Sequence, residues 1–129
     1  MKFYIPLLLL FYAVIPVSYA QQAKIITASD LIKLQHKEQK VQILDVRTLP
    51  ELEAGIIKGS INIDFFKEDF SKKVLKLNPT LPVVVYCASG GRSAKAAEFL
   101  KLNGYSNVYD LQGGFMNWKK NGNPIVYIK

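Results

Sequence analysis

The stretch Leu81 to Cys87, reading LPVVVYC, limits the possible folds more than any other part of this 129-residue chain. Val83, Val84 and Val85 are β-branched in succession, and no polar residue alternates with them. A strand of this kind is buried on both faces, which places it in the middle of a parallel sheet with helices above and below.

The remaining segments supply partners for such a strand. Thr27 to Asp30 opens a helical stretch reaching about Lys40, with Thr27 as N-cap, Asp30 at the positive end of the dipole, and Leu31, Ile32 and Leu34 facing inward. Val41 to Val46 is a second short apolar strand, and Gly55 and Gly59 bracket a turn before a third at Ile61 to Ile63. Phe65 to Leu77 spaces Phe66, Phe70, Val74 and Leu77 along one helical face, with Lys67, Lys72, Lys73 and Lys76 opposite, until Asn78-Pro79 ends it. Arg92 to Asn103 predicts a helix with Ser93, Ala96, Ala97 and Leu100 on one face, closed by Gly104. Tyr105 to Leu111 is a further strand, and Gly113 to Lys120 a short helix. Strands alternating with helices predict an α/β fold with a mostly parallel sheet, whose ligands gather at the carboxyl ends of the strands.

Met1-Lys2, the uncharged stretch Phe3 to Val17 and the small residues Ser18 and Ala20 have the three parts of a secretory signal peptide, with cleavage expected after Ala20. The apolar core is shorter than the roughly 20 residues of a bilayer span, although an uncleaved N-terminal anchor is the alternative. The expected organisation is a signal peptide over residues 1–20 and one domain over 21–129, exported and periplasmic, with no stable membrane insertion after cleavage. Removal of residues 1–20 lowers the net charge from +7 to +6, because Lys2 is the only charge lost. That charge attracts anions without naming one. The lysines are scattered over helix faces without a basic-aromatic motif, so nucleic acid is not an expected partner.

The single cysteine cannot close a disulfide within the chain or build a thiolate metal cage. Its neighbours give it another use. Cys87 ends the central strand, Ala88, Ser89, Gly90 and Gly91 form a loop of small residues, and Arg92-Ser93 opens a helix. Paired glycines let consecutive N–H groups converge on one point, and a helix N-terminus and an arginine both favour a thiolate. The competing reading is a small buried hydrophobe at a strand end. His36, the only histidine, lies in a polar helical stretch far from Cys87, so a Cys-His hydrolase has no support, and a Cys-x-x-Cys redox pair has no second cysteine. A thiolate in an anion cradle without a partner base suits attack on a phosphoryl group or a sulfane sulfur.

These motifs resemble those of the rhodanese (sulfurtransferase) family over nearly all of residues 21–129. Asp45-Val46-Arg47 with Glu51, Gly55, Ile57, Gly59, Asn62 and Ile63 is similar to the family's first stretch. CASGGRS from Cys87 to Ser93 resembles its active loop, and LQGGFMNWKKNGNP from Leu111 to Pro124 its C-terminal signature. The resemblance implies a five-stranded sheet with helices on both faces and a cysteine that cycles between thiolate and persulfide. It makes Cys87 the nucleophile, the backbone of Ala88, Ser89, Gly90, Gly91 and Arg92 the cradle of the outer sulfur, and Arg47 a steering group for anionic substrate. Asp45 would hold the loop architecture, while Gly113, Gly114 and Trp118 would pack near the mouth. Ala88, Ile56 and Phe115 depart from the basic residue, histidine and tryptophan frequent at those positions.

Four residues separate Cys87 from Arg92, one fewer than in the related phosphatase and arsenate-reductase loops, and the tighter loop suits a sulfur atom better than a tetrahedral phosphate. The expected reaction moves sulfur from a small anionic donor such as thiosulfate, or from a persulfide, to a thiol or cyanide, with no metal or organic cofactor. The alternative of another class is a non-turnover module that carries sulfur or binds a partner.

Overall fold

The computed structural model describes residues 1–3, 14, 22–37 and 40–129, and the signal peptide expected over residues 1–20 falls almost wholly outside them. Five strands form one sheet: β1 (Lys24–Ile26), β2 (Gln42–Asp45), β3 (Ser60–Asn62), β4 (Val83–Tyr86) and β5 (Val108–Leu111), in the order β1-β5-β4-β2-β3. Every pairing between neighbours is parallel. The helices are α1 (Ala28–His36), α2 (Phe70–Val74), α3 (Gly91–Leu102) and α4 (Gly114–Lys120), with a 3-10 turn at Pro50–Ala54.

β4 is central and wholly buried, as its β-branched run demands. Its residues alternate between two cores. Val83, Val85 and, just beyond the strand, Cys87 pack with Phe70, Val74, Ala96, Ala97 and Leu100 on the α2/α3 face. Val84 and Tyr86 pack with Leu31, Ile57, Phe115 and Trp118 on the α1/α4 face. Two apolar layers therefore clamp the strand that delivers the cysteine, and the Cys87 side chain emerges on the α3 side.

Helix α1 starts at the expected N-cap, and the structure completes a capping box, in which Thr27 Oγ1 accepts from the Asp30 N–H at 3.2 Å and Asp30 Oδ2 accepts from the Thr27 N–H at 3.0 Å. The buried residues of α3 are Ser93, Ala96, Ala97 and Leu100, the face that the sequence spacing predicts.

Helix α1 ends at His36 instead of near Lys40 and β5 begins at Val108 instead of Tyr105, and two further elements differ more from the sequence expectation. The helix expected from Phe65 to Leu77 narrows to Phe70–Val74, because Asp64 turns the chain first: its Oδ1 accepts the Phe66 N–H and its carbonyl the Lys67 N–H. Phe66 consequently lies 68% exposed instead of in the core, and Phe65 packs there in its place. Strand β1 has no counterpart in the sequence reading. It is three residues long, and only Ile26 is buried, so it carries almost no hydrophobic pattern.

Candidate active site

Parallel pairing brings the carboxyl ends of β2 and β4 to the same edge, and the chain leaves both there. After Tyr86 the loop of Cys87 to Gly90 closes onto the first turn of α3. Gly90 takes a φ of +126°, a conformation that L side chains rarely adopt, and its N–H donates to Cys87 Sγ at 3.1 Å. Ser93, fully buried in the first turn of α3, places Oγ 3.5 Å from the same sulfur and donates to the Gly90 carbonyl at 3.1 Å.

Cys87 is only 1% exposed. Burial pushes its thiol up, but the Ser93 hydroxyl and the N–H groups of Ser93, Gly90 and Ser89 outweigh that push, and the thiol titrates below its ordinary value. The cradle thus favours negative charge on sulfur through fixed donors, as the small-residue loop predicts.

The loop is held from behind by α4. The N–H groups of Phe115 and Met116 donate to the carbonyls of Cys87 and Ala88 at 2.8 and 3.0 Å. This close approach requires Gly114, at φ +60°: a Cβ there would lie 2.5 Å from the Cys87 carbonyl oxygen and 2.7 Å from that of Ala88. Trp118, buried, donates Nε1–H to the Pro124 carbonyl at 2.8 Å and fixes α4 to the segment beyond it.

Arg92 leans out of the loop to Glu51 in the 3-10 turn, with Nη1 and Nη2 each 2.7 Å from a carboxylate oxygen. The guanidinium holds the Glu51 carboxyl down to about 2, with further help from the Thr48 N–H and hydroxyl. Glu51 in turn raises Arg92 above its ordinary value. The Phe66 ring lies under the same guanidinium, 5.5 Å from its central carbon.

Arg47 corrects the sequence expectation. Expected at the mouth, it sits instead 1% exposed in the wall, where its charge is matched by Asp45. Its Nε and Nη2 bond both Asp45 oxygens, Nη1 donates to the Glu51 carbonyl and Nη2 to that of Gly55. Its guanidinium stacks 4.0 Å over the Phe115 ring. Asp45 has the architectural place expected of it, since it also caps the Arg47 N–H at 3.0 Å. Burial, with the Asp45 charge added, drives the Tyr86 phenol far up, and its neutral hydroxyl bonds the Ile57 N–H and the Ser60 hydroxyl.

The structure therefore brings Cys87, Ala88, Ser89, Gly90, Gly91 and Arg92 into one loop and leaves Arg47 behind it. His36 is exposed on α1, apart from this loop. Sequence reasoning gave no chemistry to Glu51, Ser93 or Asp110. Ser93 reads as packing because it shares a face with Ala96 and Ala97. Asp110 had a usable signal, a carboxylate inside an otherwise apolar strand of a parallel sheet. No group of three or more His, Cys, Asp or Glu side chains suited to a metal occurs among the described residues, and none of their helices is long and apolar enough to cross a membrane.

The sequence pattern of the family described as Rhodanese-like domain matches residues 27–121. A sulfurtransferase of Allochromatium vinosum is 32% identical over 88 residues, covering 68% of this chain and 80% of its own. The tRNA uridine(34) hydroxylase of Pelagibacter ubique is 42% identical over 81 residues; the match takes in 61% of this chain but only 27% of that longer protein. Among solved structures, a rhodanese-related protein of Thermoplasma volcanium superposes with a TM-score of 0.72 at 36% identity, over 81% of this chain and 99% of that one.

Proposed function

We propose, on the premise that this chain belongs to the rhodanese-like domain family, that it is a sulfurtransferase in which Cys87 carries the transferred sulfur as a persulfide. The observation that carries the reading is the sulfur's setting: a thiol that titrates low, buried at a strand end, with the Gly90 N–H 3.1 Å away. The relatedness to a sulfurtransferase over two thirds of the chain supports it.

The reaction needs no partner base. The Cys87 thiolate attacks the outer sulfur of thiosulfate; a bond forms between the two sulfurs, and the bond to the sulfonate breaks, so that sulfite leaves with the electron pair. The terminal persulfide sulfur keeps a negative charge in the cradle of N–H groups from residues 88–92. Cyanide or a thiolate then attacks that sulfur, leaves as thiocyanate or as a new persulfide, and returns Cys87 to the thiolate. Arg92, anchored by Glu51, closes the loop and adds positive potential beside it. Thiosulfate as donor, and an exported site of action set by residues 1–20, belong to this proposal.

A second reading, a module that passes sulfur only to a docked protein, is favoured by the exposed Phe66 beside Arg92 and the exposed Met116 bonded to Ala88. Intact mass before and after thiosulfate tests the chemistry, with Cys87→Ser alongside and a reductant added last. The expected result is a gain of one sulfur atom on the wild type alone, removed by the reductant. Steady turnover with thiosulfate and cyanide then separates the enzyme from the docking module. No gain from thiosulfate or from an organic persulfide overturns both.

A further inference from the structure

Asp110 is a buried acid that the sulfur-transfer steps leave unused. It lies on β5, where Val85 of β4 is its register partner, and it points with Val108 to the α3 side of the sheet. Cys87 is two residues beyond Val85 on that same side. Asp110 is 9% exposed, and its Oδ1 has no hydrogen-bond partner among the described residues. An orphaned carboxylate oxygen at this depth costs free energy. The hydroxyl near it is that of Ser93, which accepts from the Cys87 S–H at 3.5 Å and can return the bond as a donor once the sulfur is a thiolate.

We propose that Asp110 is a positioning residue for the nucleophile: its carboxylate competes with the Cys87 sulfur for the Ser93 hydroxyl hydrogen and so limits how tightly the thiolate is held. Ser93 has one hydrogen to give and three acceptors around it, the Gly90 carbonyl, the Cys87 sulfur and the Asp110 carboxylate. When the hydrogen turns toward Asp110, the thiolate loses a donor and keeps a second negative charge nearby, so both effects oppose it. Burial pushes the Asp110 carboxyl above its usual range, with Ser93 partly offsetting the push. The other charged groups near Asp110 are Lys95 and Glu98 of α3, which line the same groove; its strand neighbours Ile25 and Val85 are uncharged. Near Cys87 the facing charge is Arg92, which is paired with Glu51.

A moderated thiolate is useful because nucleophilicity falls as thiol pKa falls, and attack is fastest when that pKa lies near the ambient pH. The inference rests on Cys87 being the nucleophile of the proposed function. Its test reads the thiolate directly, so it can fail while sulfur transfer stands, or hold while sulfur transfer fails.

The experiment is the pH profile of Cys87 alkylation by iodoacetamide in the wild type, Asp110→Asn, Asp110→Ala, Ser93→Ala and the double variant D110N/S93A. Loss of the competing carboxylate is expected to move the midpoint down by about one pH unit and to lower the high-pH plateau about threefold, as the Brønsted relation requires. D110A serves should D110N not fold. In the Ser93→Ala background the Asp110 substitution is expected to leave less than half of that downward shift, the part due to its charge alone. A midpoint that stays in place or rises in the single Asp110 variants, or a downward shift of undiminished size without Ser93, overturns the proposal.

Discussion

Arg92 and Glu51, 41 positions apart, meet through two hydrogen bonds of 2.7 Å that tie the first turn of α3 to the 3-10 turn after β2. The bidentate geometry is the strong form of this pairing, and it braces the cysteine loop from outside while α4 braces it from behind. Glu51→Gln keeps the size of the side chain and removes its charge. The second-order rate of persulfide formation from thiosulfate is expected to fall roughly tenfold, the effect of losing one charge-assisted contact, with the far-UV circular dichroism unchanged. A rate equal to wild type would show that Arg92 holds the loop without this anchor.

The same pair gives the protein an acid-sensitive contact. The Glu51 carboxyl is held down from 4.5 to about 2, so the folded state binds its proton later than the unfolded chain. Its stabilisation is therefore fully present above about pH 4.5 and is lost as the pH falls toward 2. Urea unfolding of wild type and E51Q at successive pH values should show the gap between them closing across that window. A gap independent of pH would assign the stabilisation to packing.

Ser93→Ala removes the hydroxyl 3.5 Å from Cys87 Sγ and leaves the backbone cradle in place. The thiol's midpoint in alkylation is expected to rise, because the side-chain donor that opposes burial is gone. Sulfur loading at neutral pH slows with it, while the rate measured well above the new midpoint recovers. Slowing that persists at high pH would mean that Ser93 shapes the loop instead of charging the sulfur.

Gly114→Ala tests the support behind the loop. The new Cβ meets the Cys87 carbonyl oxygen at 2.5 Å in a conformation of φ +60°, so both strain and displacement follow. A loss of about 1–3 kcal/mol in denaturant unfolding is expected, together with faster amide exchange at Phe115 and Met116. Gly91→Ala, with open space around its Cβ and no unusual φ, is the matched control and should be nearly neutral.

Arg47→Met separates architecture from steering. It leaves Asp45 buried without its counter-charge, and removal of one partner from such a pair costs about 3–5 kcal/mol. The melting temperature should drop sharply while the KM for thiosulfate in the folded fraction stays close to wild type. A raised KM in a stable protein would restore the steering role expected from the sequence.

Local patterns were legible in this chain where a single element determined them. The β-branched run of Val83 to Val85 announced a buried central strand, Thr27 announced the N-cap of α1, and the spacing of Ser93, Ala96, Ala97 and Leu100 marked the buried face of α3. The cysteine loop was visible because glycine pairs and a following helix start are contiguous in sequence. Long-range pairings were not visible. Nothing near Arg92 names Glu51 as its partner, and nothing near Arg47 says that Asp45 and the Phe115 ring will enclose it. The apolar spacing of Phe66, Phe70, Val74 and Leu77 fitted a helix, but the Asp64 side chain outcompeted helical bonding in its first turn.

The carbonyls of Cys87 and Ala88 receive their hydrogen bonds from the backbone of Phe115 and Met116, and this fixes an order of events during synthesis. The ribosome makes the nucleophile more than twenty residues before the backbone that clasps its loop. A chain that has reached only α3 holds Gly90 and Ser93, the donors beside the sulfur, but not the backbone that clasps the loop behind them. The loop gains its rear clasp only once α4 is made, so the last helix of the chain completes the setting of a cysteine made long before it.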